Sequence, residues 1–332
     1  TLAYILGVLQ RIDIHNDQLQ AVCLLPTREL VIQTYKEYVA KLTQSYKVKT
    51  SVLIRNPPVD FPPEKAQLIL STTGQFDKKC NDLQINTVRI LAIDEADHVL
   101  SQQTFSQFFN SFFPKLTANK AQILLFSATL SDQLFKFVNE HISEKQLTKI
   151  TREKGKVFQP TNHHYFKKCA DENDKIQTLS SIFKHFNANN VFIFVNRKDY
   201  AKQLNQIITE NHYDAQFYSS ELNRTQRDHI LQQFRDTVLH VIICTDVLSR
   251  GVDIPAAKLV INFDMPLGTN LQEDLATYTH RQGRTGRWGR RGVVINFILD
   301  KFDHDEKLFN LMSTQNIELL PYDEQKIQDE LK

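Results

Sequence analysis

Two adjacent carboxylates, Asp94 and Glu95, stand directly after the largely apolar run Val88–Ile93, and a third, Asp97, follows two residues on. Open parallel sheets bind ligands at the carboxyl ends of their strands, so acids in that position mark a place for chemistry. One carboxylate there can hold a hydrated Mg2+, because that ion is hard and gives up its waters reluctantly. The next can orient or deprotonate a water for attack on a terminal phosphate. Taken alone the segment is a weak signal, since acids also gather at helix N-termini for the dipole alone.

A second group lies far along the chain. Five arginines, at positions 281, 284, 287, 290 and 291, follow or flank His280. Such density repels itself unless anions are near. Guanidinium is planar, always charged and well matched to phosphate oxygens. Arg284 and Arg287, three residues apart, can share one face of a helical turn. The chemistry this suits is neutralisation of charge during phosphoryl transfer. The bland alternative is a solvated basic surface that serves RNA alone. Three further segments follow apolar runs: Pro26-Thr27-Arg28-Glu29-Leu30, Phe126-Ser127-Ala128-Thr129, and Thr245 to Asp253 with its Gly251.

The elements that must position these groups are legible as short apolar runs. The clearest are Ala21–Leu25, Gln67–Leu70, Val88–Ile93, Gln122–Phe126, Val191–Val195, His240–Cys244, Leu259–Phe263 and Val293–Ile298. Their Val and Ile content and lack of alternation predict strands covered on both faces, as in a parallel sheet. Helical patterns lie between them, over Arg28–Leu42, Ser131–His141, Lys198–Glu210 and Arg224–Phe234. The alternation predicts βαβ units and an α/β fold. A polar break with Gly155 and Pro160 falls within Thr151–Thr161, and the strand–helix series restarts after it. The expectation is two domains, 1–153 and 154–332, joined by a short linker.

Composition bounds the reading without directing it. The 332 residues are 41% hydrophobic and 23% charged, with a net charge of +2. No overall basicity announces a nucleic acid, so any such site is a local patch. The four cysteines, Cys23, Cys80, Cys169 and Cys244, form no C-x-x-C pair, which points to neither zinc nor a disulfide framework. No apolar stretch reaches the length of a membrane span, so membrane insertion is not expected.

The five segments, taken in chain order, resemble the DEAD-box helicases, and the resemblance covers nearly the whole chain. It implies two RecA-like parallel-sheet domains and an RNA-dependent ATPase using ATP and Mg2+. Carried onto matching positions, it implies that Asp94 holds the metal through water and that Glu95 activates the attacking water. Asp97 and Ser127 would link with His280, Gly251 would lie near the phosphates, and Asp253 would contact the ribose. Arg284 and Arg287 would reach the γ-phosphate. Single-stranded RNA, or a ribonucleoprotein, would be held by Thr27, Arg28, Thr72, Gly74 and Thr245, chiefly through phosphate and sugar. Thr73 stands where the family carries Pro, and Ser219-Ser220 where it carries His-Gly.

No G-x-x-x-x-G-K-[ST] phosphate loop occurs, since only Gly155 precedes a lysine and Val157 then breaks the pattern. TLAYILGVLQ resembles the stretch that follows that loop in the family, so Thr1 is expected to be its last residue. The first domain is then expected to lack its N-terminal strand and phosphate loop, and the exact chain to bind ATP poorly. The long connection LGTNLQEDLAT after Pro266 and the tail from Leu320 resemble the mRNA-export branch of the family. That branch works at the cytoplasmic face of the nuclear pore, between cytoplasm and nucleus. It implies an activator acting with inositol hexakisphosphate, a nucleoporin partner, and a monomer. The alternatives are a translation-initiation or ribosome-assembly ATPase of the same family, or a non-catalytic RNA-binding module.

Overall fold

The computed structural model describes residues 1–58, 61–101, 103–127, 132–143, 147–150, 162–186, 190–219, 221–246, 257–268, 270–286, 291–314 and 317–331. The expected domain boundary at 153/154 lies outside them. The chain forms two compact units, one centred on Thr1–Thr148 and the other on the chain from Lys149 onward.

The first unit opens with α1 (Leu2–Leu9), whose Tyr4, Ile5 and Val8 are buried along one stripe. Its strands are β1 (Ala21–Leu25), β2 (Thr50–Leu53), β3 (Leu68–Thr72), β4 (Ile90–Ile93) and β5 (Gln122–Leu125). All pair in parallel, in the order β2-β3-β1-β4-β5. The helices between them are α2 (Arg28–Thr34), α3 (Ala40–Tyr46), α4 (Thr73–Lys79), α5 (Ala96–Ser101), α6 (Gln103–Ala118) and α7 (Asp132–His141). The single helix expected over Arg28–Leu42 runs on to Tyr46 and carries a π-turn at Tyr35–Val39.

The sheet is covered on both faces, and its strands divide their side chains by parity. Val22, Leu24, Ile69, Leu91 and Ile93 enter one core. Ala21, Cys23, Leu25, Leu68, Leu70, Ile90 and Ala92 enter the other. A strand buried on two faces has room for a polar residue only where its hydrogen bonds are made inside, so its sequence reads as a nearly unbroken apolar run.

The second unit repeats the plan. In chain order it comprises β6 (Asn162–Cys169), α8 (Glu172–His185), β7 (Val191–Phe194), α9 (Lys198–Glu210), β8 (Ala215–Tyr218), α10 (Arg224–Arg235), β9 (Val241–Cys244), β10 (Leu259–Asn262), α11 (Leu271–Gln282), β11 (Gly292–Leu299), α12 (Asp303–Thr314), β12 (Leu319–Pro321) and α13 (Glu324–Leu331). Seven parallel strands lie in the order β12-β6-β11-β10-β7-β9-β8. Caps fix where helices begin. Asp171 accepts the Asp174 N–H at α8, and Asn223 and Gln226 close a reciprocal capping box at α10. Among the described residues no helix is long and apolar enough to cross a membrane. All four cysteines are buried and free.

Candidate functional site

In the first unit the singled-out residues leave one edge of the sheet. Leu25 pairs in register with Thr72, Leu24 with Ile93, and Ile93 with Leu125. The segments that begin at Pro26, Thr73, Asp94 and Phe126 therefore emerge side by side at the carboxyl ends of their strands, where an open α/β sheet places its ligands. Two backbone bonds stitch the acidic segment to its neighbours. The Asp94 N–H donates to the Leu24 carbonyl at 3.0 Å, and the Ala96 N–H to the Phe126 carbonyl at 2.9 Å. Ser127 is the next residue after that anchor, which brings it to the Asp94–Asp97 segment.

Glu95 has φ 49°, in the left-handed region. Such a conformation costs a residue with a Cβ about 1–2 kcal/mol. It turns the chain sharply between β4 and α5, so that the carboxylates of Asp94 and Glu95 do not follow the strand's alternation. The Glu95 N–H donates to the Asp94 carboxylate at 3.0 Å. Burial pushes the Asp94 carboxyl above the usual carboxylate range, while the Tyr4 phenol, the Glu95 N–H and the Thr1 hydroxyl, which face it, act the other way. Thr1 caps α1 without a side-chain hydrogen bond to the helix, which leaves its hydroxyl for Asp94. One half-buried carboxylate and one hydroxyl at a sheet edge form a donor set that suits a hard cation keeping most of its water. Asp97, on the first turn of α5, is buried.

The residues expected to meet RNA sit at two helix starts. The Thr27 hydroxyl oxygen accepts the Leu30 N–H at 3.2 Å and so caps α2. Arg28 is braced to the exit of β2 by its Nε, which donates to the Arg55 carbonyl at 2.9 Å. Thr72 stands before α4 with no side-chain cap bond. A Cβ on Gly74 would meet open space, so nothing within the unit demands glycine there.

The second unit gathers a different set at the corresponding edge. Thr245 follows β9, and Asp246 is next to it. Gly251, Asp253 and Arg287 lie outside the described residues. His280 and Arg284 are buried near the end of α11. The Arg284 Nε donates back to the His280 carbonyl at 3.3 Å, and the Arg284 carbonyl accepts the Ala257 N–H at 2.9 Å. Thr285 Oγ1 donates to the Ala257 carbonyl at 2.6 Å, so the turn is laced to the strand entering β10.

Sequence reasoning missed what Arg281 does. It is 0% exposed rather than part of a cationic surface. Its Nε donates to Asp246 at 2.6 Å, its Nη1 to the Asp264 carbonyl at 2.7 Å, and its Nη2 to Asn196 Oδ1 at 3.1 Å. The guanidinium also stands over the Phe194 ring at 5.1 Å. Asp264 in turn takes buried Lys175 at 2.8 Å and the Asn196 N–H at 2.8 Å. The fork thus ties the exits of β7, β9 and β10 to α11. The signal was available: Asn196, Asp246 and Asp264 each stand within two residues of the end of an apolar strand.

Gly286 has φ +66°, and a Cβ there would lie 1.7 Å from Asn162 Oδ1. Gly286→Ala is therefore expected to destabilise the second unit by about 1–3 kcal/mol, from left-handed strain plus the displaced Asn162. Adding Asn162→Ala should return the steric part and leave the backbone part. Urea unfolding of both variants measures this, and a neutral Gly286→Ala would contradict it.

Against known proteins, the chain matches the profile of the DEAD/DEAH box helicase over residues 1–137 and that of the helicase conserved C-terminal domain over 174–289. The ATP-dependent RNA helicase DBP5 of Candida glabrata is 31% identical over 318 residues, a match taking in 94% of this chain and 61% of that protein. The ATP-dependent RNA helicase DDX25 of Rattus norvegicus is 30% identical over 336 residues, taking in 99% and 68%. The chain thus spans less than two thirds of the length of the DBP5 relative. Among solved structures, S. cerevisiae Dbp5 bound to RNA and ADP BeF3 superposes with a TM-score of 0.84 at 28% identity, over 99% of this chain and 86% of that one. A variant of the same protein bound to Nup159, a Gle1 variant, IP6 and ADP gives 0.61 at 26%, over 98% and 85%.

Proposed function

The chain belongs to the DEAD-box family of RNA helicases, with two RecA-like parallel-sheet α/β units, and from that premise we propose that it is an ATP-driven remodeller of RNA and ribonucleoprotein. The observation that carries the reading is the strained Glu95 beside the half-buried Asp94, with Thr1 facing that carboxylate, at the carboxyl edge of β4. Asp94 with Thr1 would hold Mg2+, and the ion when bound neutralises charge on the phosphates of ATP. Glu95 orients the attacking water and takes its proton. Asp97 and Ser127 on one side and His280 on the other transmit the nucleotide state. Arg284 and Arg287 answer the charge of the γ-phosphate, Gly251 lies near the phosphates, and Asp253 meets the ribose.

Thr27, Arg28, Thr72, Gly74 and Thr245 form the RNA face. Two of these residues open helices, and a helix N-terminus suits phosphate rather than bases, so recognition is weak in sequence. The branch we favour is mRNA export at the cytoplasmic face of the nuclear pore. It is supported by the Dbp5 relatives and by a Dbp5 structure that carries Nup159, Gle1 and IP6. A Gle1-type activator with inositol hexakisphosphate and a nucleoporin are the partners this reading names, with the enzyme acting as a monomer.

The test is ATP hydrolysis by the full-length protein with single-stranded RNA and, separately, single-stranded DNA. RNA is expected to stimulate and DNA to have little effect. Equal stimulation by both, or by neither, would sink the reading. Binding to a Gle1-type protein that strengthens with inositol hexakisphosphate checks the branch.

A further inference from the structure

Asn296 lies in the middle of the apolar run on β11, and Asn262 lies beside it in register on β10. Both are fully buried. An amide in such a place is costly unless its hydrogen bonds are made. Here they are made, and in one direction only. A guanidinium can only donate. Arg281 Nη1 reaches Asn262 Oδ1 at 3.3 Å, which fixes that atom as the oxygen. Asn262 Nδ2 then donates to Asn296 Oδ1 at 2.8 Å. Asn296 Nδ2 donates to the Tyr165 carbonyl at 3.0 Å and to the Tyr278 hydroxyl at 3.3 Å. The phenolic hydrogen of Tyr278 is left for His164 Nδ1 at 2.7 Å. His164 accepts it in the one arrangement that leaves no buried hydrogen of the ladder unpaired, with the ring neutral and the proton on Nε2. Burial and the neighbouring His163 act the same way, holding His164 down to about 4.

We propose that Asn296, together with Asn262 and Tyr278, is a positioning residue for the arginine-bearing end of α11, acting through a one-way ladder of buried hydrogen bonds from Arg281 to His164. Tyr278 and Arg281 are three residues apart on α11 and so face the sheet together. The ladder grips the helix at both points, Tyr278 through Asn296 and Arg281 through Asn262. The helix cannot slide or roll without leaving two buried groups unpaired. An apolar seam would keep the fold but lose the single position, because apolar cores give up uniqueness before stability. Arg284 stands in the turn that follows the end of α11. Its placement therefore depends on residues with no contact to any phosphate. In this last step the inference rests on the phosphate-facing role proposed for Arg284 and Arg287; the ladder itself does not.

Val and Thr have the same shape and differ by a hydroxyl, so Asn296→Val and Asn296→Thr separate hydrogen bonding from packing. Nitrogen-15 NMR of the chain reads the His164 tautomer and the exchange of the Arg281 Nε–H. The parent is expected to show the Nε2–H tautomer and a slowly exchanging Arg281 Nε–H. Asn296→Val should mix the His164 tautomers and speed that exchange at least about tenfold. In the full-length protein it should lower kcat for RNA-stimulated ATP hydrolysis by about ten- to a hundredfold, with KM for ATP within about twofold. Asn296→Thr should recover a large part of both losses. Tyr278→Phe removes only the hydroxyl and should shift His164 in the same way, which keeps the test open if Asn296→Val does not fold. Parent-like His164 and Arg281 signals in Asn296→Val or Tyr278→Phe would overturn the ladder, and equal losses in the Val and Thr variants would reduce Asn296 to packing. A full-length parent that hydrolyses no ATP would count against the proposed function, and the NMR comparison then decides the ladder by itself.

Discussion

Replacing Glu95 by Gln is expected to lower the RNA-stimulated rate of ATP hydrolysis by about a hundredfold to ten-thousandfold, the range over which a positioned base contributes. Gln keeps the size of the side chain and its reach, but it cannot take a proton. The left-handed φ of 49° is no easier or harder for Gln, so the turn between β4 and α5 should survive. Asp94 and Thr1 are untouched, so affinity for nucleotide should stay within a few-fold. The variant should then hold RNA and ATP together for longer than the parent. Single-turnover hydrolysis reads the rate, and equilibrium binding with a non-hydrolysable nucleotide reads affinity. A rate within about fivefold of the parent would remove Glu95 from the chemistry, because water activation is then worth under about 1 kcal/mol there. Asp94→Asn provides the contrast. It should raise the Mg2+ concentration needed for half-maximal rate, whereas Glu95→Gln should not.

What the sequence displays depends on how many faces of an element are buried. β1, β7, β9 and β10 are buried at every position, and their apolar runs name them almost to the residue. β6 is the opposite case. Its sequence NHHYFKKC holds two histidines and two lysines, and only His164, Tyr165 and Cys169 are buried. It is nonetheless a full strand, paired with β11 over eight residues. The backbone ladder and one long partner make it, and neither leaves a mark on composition. β2 hides for another reason. Thr50 and Ser51 are buried but satisfied, with Ser51 Oγ donating to the Phe61 carbonyl at 2.8 Å. β8, at the sheet's edge, carries Gln216 and is half-buried along most of its length.

The site divides along the same line. Asp94, Glu95, Ser127, Thr27 and Thr245 could be placed from sequence because each follows a legible strand, and strand ends are where such sheets do chemistry. The left-handed turn at Glu95 was not legible, since Glu has no preference that announces it. Nor was the split within the arginine-rich segment. Charge counting treats arginines 281 and 284 as surface cations, yet both are buried, and Arg281 fully so because three polar strand exits converge on it. Gly286 was visible only as one glycine among nine, and the side chain that leaves no room for a Cβ there is Asn162, more than a hundred residues away in sequence.

Arg281→Ala is expected to destabilise the second unit by about 3 kcal/mol, within the range for breaking a buried charged pair from one side. The reason is what the guanidinium leaves behind. Asn196 Oδ1, Asn262 Oδ1 and the Asp264 carbonyl lose their donor together, at about 1–3 kcal/mol for each group that water does not reach. Asp246 matters less, because its side chain is 45% exposed and its charge can be solvated once the pair is gone. The groups left behind are polar, so a water taken into the vacated space would offset part of each penalty, which keeps the sum short of three full ones. Arg281→Lys should recover only about 1 kcal/mol, since one ammonium cannot reach three acceptors that a planar fork spans. Urea unfolding, with hydrogen exchange to assign the loss to α11 and the exits of β7, β9 and β10, measures both variants. If Arg281→Ala cost less than about 1 kcal/mol, the buried fork would be dispensable, and the three strand exits would have to be held by something else.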